Sequence, residues 1–159
     1  MDALRHRVGG DAGYDPGKAA LAGTAGALAY LAEMAVDLPL FDCPTNDLML
    51  LGRPFTANRR AWPLVGAALH LGNGIALAQL YGLYGRQLPG PPWLRGVLFT
   101  LLENVLLWGA VPVFDRVHPA IQTGELPKMN RPVPFVQQLL RHIAYGAALG
   151  VVYGNGARK

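Results

Sequence analysis

The chain has 159 residues, enough for one domain. Apolar residues make up 52% and charged residues only 15%, well below the roughly 25% of soluble domains, and the charges cluster between long apolar runs. This pattern favours a membrane protein over a water-soluble helical one. The net charge of +4 suits anionic lipid headgroups. Because the sequence has no basic stripe interleaved with aromatic residues, nucleic acid is not an expected partner.

The chain begins with a polar stretch, residues 1–18, which we expect to form a surface tail. No apolar segment follows directly after its first charged residues, so we do not expect it to be a cleavable signal peptide. An apolar run then predicts a helix over 19–36. One face of this helix carries small and polar residues: Gly23, Gly26, Tyr30, Glu33 and Asp37.

The connection 38–60 is predicted to contain a short helix, 47–51, that Thr45 or Asn46 caps and that ends at Gly52. Cys43, in the same connection, is the sole cysteine of the sequence. It excludes an intrachain disulfide and a zinc-finger spacing.

Three further apolar runs predict helices over 61–84, 93–114 and 134–153, with a bend at Pro112 in the second of them. All four runs are long enough to cross a hydrocarbon core of about 30 Å. We therefore predict an all-α, four-helix transmembrane bundle, with residues 19–159 as one membrane domain. Lysine and arginine are equally numerous on its two sides, so they do not indicate which side is cytoplasmic.

One stretch, His70–Gly82, occurs twice, 72 residues apart, and the match extends upstream of it. Nine residues recur at this offset: Gly52/Gly124, Asn58/Asn130, Arg59/Arg131, His70/His142, Gly74/Gly146, Ala76/Ala148, Leu77/Leu149, Tyr81/Tyr153 and Gly82/Gly154. A fixed period indicates duplication. We predict two tandem helical hairpins, about 19–86 and about 93–156, related by a pseudo-two-fold axis along the membrane normal.

Ionisable residues inside a membrane are costly and usually face the protein interior. Each predicted span contains one such residue well inside it: Glu33, His70, Glu103 and His142. Their depths are similar, so we expect them to form one buried polar layer together with Asn73 and Asn104. Each histidine should lie within reach of a glutamate, directly or through one water. If one glutamate faces outward, it should be Glu33, paired with Arg59 or Arg60.

This layer fits three roles. The first is a structural network that joins the helices. The second is a metal site, in which Glu33, His70, Glu103 and His142 would bind zinc, iron or manganese, or in which the two histidines would ligate a haem. The third is a path for protons or ions.

The repeated Asn-Arg pairs form the other candidate site, on the side opposite the termini: Asn58, Arg59, Asn130 and Arg131. They predict either loop caps or a site for a lipid headgroup or small anion. Arg141, next to His142, is expected to neutralise Glu103 or to extend toward the membrane surface.

The layout of residues 19–154 resembles that of small, uncharacterised four-span membrane proteins found in bacterial genomes. This resemblance implies a multi-pass protein of the bacterial cytoplasmic membrane and assigns no functional residue. No nucleophile elbow, P-loop, Rossmann glycine pattern or HExxH motif occurs. The sequence therefore favours a non-enzymatic small subunit or a lipid- or partner-binding module without a cofactor, in contact with the bilayer and with another membrane protein or a second copy. The alternative is a metal- or haem-binding redox or ion-transport protein.

Overall fold

The computed structural model describes residues 14–154, and within that range the fold is all-α, with seven helices and no strand. The helices are α1 (Pro16–Leu40), α2 (Asp47–Gly52), α3 (Trp62–Tyr84), α4 (Pro92–Trp108), α5 (Val111–Val117), α6 (Pro119–Gln122) and α7 (Pro132–Gly154), and a 3₁₀ turn, Gly85–Gln87, follows α3. Because α1 begins at Pro16, the last three residues of the predicted tail 1–18 are helical. Residues 1–13 of that tail, and 155–159 at the other end, lie outside the described residues.

Local chemistry sets the helix starts. The Asp15 side chain accepts a hydrogen bond of 2.9 Å from the backbone N–H of Lys18, and a proline occupies the first turn of α1. Of the two caps predicted for α2, Asn46 is the one observed, since its Oδ1 accepts from the N–H of Met49 at 3.1 Å. Both starts are therefore readable from the sequence.

The helix predicted over 93–114 is divided into α4 and α5, which meet at an angle of 52°. Pro112 lies in the first turn of α5. A proline ring inside a helix clashes with the carbonyl four residues earlier, here that of Trp108, the last residue of α4. The predicted bend is thus confirmed, and the break falls just before the proline.

The long helices pack in the order α3, α1, α7, α4. In this arrangement α7 lies between α4 and α1, and α1 also packs against α3. Helix α2 packs beneath α3. Helices α3 and α4 are not extensively packed against each other, which leaves a gap on one side of the protein.

Glycines permit the closest helix approaches. A Cβ added at Gly23 of α1 would lie 2.6 Å from the carbonyl oxygen of Gly74 in α3, and one at Gly96 of α4 would overlap the carbonyl oxygen of Gly146 in α7. Backbones at this separation leave no room for a side chain, as in small-residue interfaces of membrane helices. The two approaches use residues 73 and 72 positions apart in the sequence.

Within the part of the chain that the structure describes, two helical segments are long and apolar enough to cross a membrane, Pro16–Leu40 and Trp62–Gln87, and there are three such segments if α4 and α5 count as one bent span. Large apolar side chains are also exposed on the outside, among them Leu64 at 74% and Leu106 at 70%. These features indicate association with a membrane.

A small second core lies below the long helices, on the side opposite the termini. It joins α5, α6 and the following loop to α2, through Val111, Ala120, Ile121, Leu126 and Met129 packed against Met49, Leu50 and Trp108. The buried His118 Nε2 donates to the Leu50 carbonyl at 2.8 Å. This core closes the protein at the end where α2 meets the cavity described below.

Candidate functional site

The gap between α3 and α4 is a cavity of about 650 Å³, within the range of small-molecule sites. Apolar side chains form most of its wall, including Leu50, Leu51, Ala76, Leu77, Leu80 and Leu107. Eight residues with polar side chains lie between these apolar ones on the wall: Tyr30, Asp47, His70, Asn73, Glu103, Gln138, His142 and Tyr145. The cavity therefore combines a large apolar surface with a few polar atoms, the composition that suits an amphiphile.

Glu103 and His142 meet in this cavity. His142 Nε2 lies 3.0 Å from Glu103 Oε2, and both side chains are largely buried. His142 Nδ1 lies 2.7 Å from the backbone carbonyl of Gln138, which can only accept a hydrogen bond, so Nδ1 carries a proton. Glu103 Oε2 is itself buried and has no well-directed hydrogen bond within the described residues. It is an acceptor with unused capacity.

His70 lines the same cavity but is held by the backbone. Its Nε2 donates to the carbonyl of Ala27 at 3.2 Å, which leaves Nδ1 as the acceptor nitrogen. The Tyr30 ring contacts both imidazoles, with ring centroids 4.8 Å from His70 and 5.4 Å from His142. The structure thus brings both repeated histidines to one tyrosine, and only His142 to a glutamate.

The other expected members of the polar layer are divided. Asn73 lines the cavity, whereas Asn104 is buried elsewhere and its Nδ2 has no partner among the described residues. Glu33 is half-buried, lies outside the cavity wall, and forms no ion pair with any described residue, Arg59 and Arg60 included. The four residues considered as a metal set are therefore not all assembled in one place. Among the described residues, no group of three or more His, Cys, Asp or Glu is arranged to hold a metal ion.

The strongest polar interactions surround Arg141, in the middle of α7 and 0% exposed. Its Nε and Nη2 donate to the two oxygens of Asp37 at 2.6 and 2.5 Å, and its Nη1 donates to Asp47 Oδ2 at 2.8 Å. Its remaining N–H groups bond the carbonyl and the hydroxyl of Thr45, at 2.8 and 3.2 Å. The expectation that Arg141 neutralises Glu103 or reaches the surface is wrong, since all five of its donors are used inside the protein.

Side chains from α1 and α7 complete this ionic network. Gln137 Nε2 donates to Asp37 at 3.0 Å, and Gln138 Nε2 donates to Asp47 at 2.8 Å. The Tyr30 hydroxyl donates to Asp47 as well, which links the network to the cavity. One arginine facing two aspartates gives the cluster a formal charge of −1.

Sequence reasoning missed this network although a signal for it existed. Arg141 lies four residues after Gln137 and three after Gln138 in an otherwise apolar helix, which places both glutamines beside it on one face. Asp37 belongs to the polar face predicted for the first helix. Joining the two faces would have required knowledge of how α1 and α7 pack.

The repeated Asn-Arg pairs lie in exposed loops. Asn58 Oδ1 accepts from the N–H of Arg60 at 2.9 Å, and the N–H of Asn130 donates to Asp115 at 3.0 Å. These are loop-capping contacts. Arg59 and Arg131 are exposed and form no ion pair with the described residues.

Comparison with known proteins relates the chain to a family of unknown function. The sequence model of that family, DUF6789, matches residues 14–159. No curated protein and no solved structure matches the chain.

Proposed function

The chain belongs to this family of unknown function, and we propose that it is a non-enzymatic, four-span integral membrane protein that binds an amphiphilic small molecule, such as a lipid, in the cavity between α3 and α4. The single observation that carries the proposal is that cavity. It is large, mostly apolar, and lined by a helix, α3, that is able to cross a membrane.

The distribution of polarity on α7 supports its assignment as the fourth span. Its charged and amide side chains, Gln137, Gln138 and Arg141, are buried and satisfied within the protein. Its outer face exposes apolar residues instead: Val133, Val136, Leu140, Ile143 and Val151. A helix with a polar inner face and an apolar outer face suits a lipid environment.

The glycine contacts support the duplication. The α1–α3 approach at Gly23 and Gly74 recurs in the α4–α7 approach at Gly96 and Gly146. The neighbouring contacts recur too, since a Cβ at Gly74 would meet Ala27 and one at Gly146 would meet Thr100. Two hairpins built on the same contact are the expected product of tandem duplication.

The position of the cavity provides a route for a ligand. Leu80 of α3 and Leu107 of α4 line it and are 49% and 58% exposed. Because α3 and α4 are not packed together, an acyl chain would enter sideways from the bilayer without crossing water. In the cavity that chain would exchange contacts with lipid tails for contacts with the apolar wall, so its affinity would come from van der Waals packing and from the polar head group, not from removal of apolar surface from water.

Native mass spectrometry of the protein released from nanodiscs tests the proposal. Ala76 of α3 lines the cavity and is exposed, so Ala76→Trp should fill it and abolish co-purifying lipid adducts. Ala68→Trp, on an exposed part of the same helix outside the cavity wall, is the matched control and should bind like the wild type. Leu80→Trp is a second blocking variant if Ala76→Trp does not fold. Equal adduct levels in folded Ala76→Trp and Ala68→Trp would refute the proposal.

A further inference from the structure

We infer that the amphiphile bound in this cavity carries a protonated amine at its polar end, rather than a phosphate or a carboxylate. The inference rests on the proposed function and names the chemical class of its ligand. The net charge near the cavity wall, its free acceptors and the full use of the Arg141 donors all point the same way.

The net charge at the wall is negative. Asp47, Glu103 and His142 line the cavity, and no described lysine or arginine does. A protonated His142 offsets the charge of Glu103, but the cluster of Asp37, Asp47 and Arg141 keeps its formal charge of −1. The nearest buried cation, Arg141, uses all five N–H groups on Asp37, Asp47 and Thr45. Its charge is outweighed by the two aspartates, so it cannot attract an anion into the cavity.

The free hydrogen-bonding groups are acceptors. Glu103 Oε2 is buried and lacks a well-directed donor among the described residues. His70 Nδ1 is an acceptor because Nε2 donates to the Ala27 carbonyl. An ammonium group has three N–H donors and no acceptor, so it complements both atoms. The bond to Glu103 would be charge-assisted, which is the stronger kind of hydrogen bond.

An anionic head would have the opposite fit. It would bring another negative charge to a wall beside a buried cluster whose formal charge is already −1, and it would find no free guanidinium or ammonium donor among the described residues there. Desolvating a charge without a partner is strongly unfavourable. The net charge of +4 of the whole chain therefore does not describe this site, since none of the described residues on the wall is a lysine or an arginine.

Three probes with the same twelve-carbon tail separate the possibilities: dodecylamine, dodecanol and laurate. Their binding to the full chain in nanodiscs is measured by titration and native mass spectrometry. We expect dodecylamine to bind roughly tenfold or more tightly than laurate, the scale of one charge-assisted hydrogen bond, with dodecanol between them. Glu103→Gln should remove the preference for the amine and leave dodecanol binding in place.

Glu33→Gln is the matched control, because Glu33 is a carboxylate on a predicted span but lies outside the cavity wall. It should keep the wild-type preference. Glu103→Asp, which retains the charge, should keep it in part and replaces Glu103→Gln if that variant does not fold. Laurate binding as tightly as dodecylamine, or an unchanged preference in Glu103→Gln, would overturn the inference while Ala76→Trp still blocks all probes. Failure of every probe to bind, or binding that Ala76→Trp leaves intact, would instead refute the proposed function.

Discussion

Replacing Arg141 by methionine is the most severe single change that the structure predicts. Methionine preserves most of the length and apolar volume of the side chain but removes its five N–H donors. The Arg141→Met variant leaves Asp37 and Asp47 buried together with no cation. Two adjacent buried carboxylates repel each other, and at least one would have to take up a proton.

The magnitude follows from the ion pairs that this variant removes. Breaking one buried ion pair by removing a partner costs about 3–5 kcal/mol, and Arg141 serves two aspartates. We therefore expect a loss near or above 5 kcal/mol in the free energy of unfolding. Asp37→Asn should cost less, about 1–3 kcal/mol, because one guanidinium then faces one carboxylate and the formal charge of the cluster becomes zero.

The assay is unfolding of the detergent-solubilised protein by SDS, followed by tryptophan fluorescence. Arg59→Met, at an exposed arginine, is the control and should change stability by no more than about 0.5 kcal/mol. The order of destabilisation, Arg141→Met above Asp37→Asn above Arg59→Met, is the result that matters. If Arg141→Met cost no more than Asp37→Asn, the charge balance of the network would not be what stabilises it.

Two further predictions concern packing and a thiol. Gly96→Ala should destabilise the protein by about 1–3 kcal/mol, because the new Cβ would overlap the Gly146 carbonyl oxygen. Gly72→Ala is the control and should be neutral or stabilising, since a Cβ at Gly72 would have no atom within 4 Å. Equal thermal unfolding temperatures of the two variants would contradict the close backbone approach. Burial raises the pKa of the Cys43 thiol above its usual value, partly opposed by the charge of Arg131, so iodoacetamide should alkylate it more slowly at pH 8 than it alkylates free cysteine, with a rate that rises as the pH increases. Mass spectrometry follows that reaction, and a rate at or above that of free cysteine would count against the burial.

The sequence alone predicts the helices well, because their signals are local. Apolar runs place all four long helices, the Asn46 cap marks the start of α2, and Pro112 marks the break between α4 and α5. Each of these features depends on residues within a few positions along the chain. Local hydrogen bonding and proline sterics act over the same distance.

The sequence also identifies residues of the cavity, through the rule that ionisable groups in apolar helices face inward. His70, Glu103 and His142 do line it. Glu33 does not, and the reason is register. The glycine contacts relate α1 to α4 by 73 positions, which sets Tyr30, not Glu33, at the place that corresponds to Glu103.

Tertiary structure alone decided which charges meet. Arg141 and Asp37 are 104 residues apart, and nothing near either one in the sequence indicates the other. Their contact depends on how α1 and α7 are rotated about their axes when glycines let the helices approach. Successive residues of an α-helix are about 100° apart around its axis, so a shift of one residue turns a side chain from the interior to the lipid. The composition of each helix therefore shows that polar groups must be buried. Packing alone determines which groups become their partners.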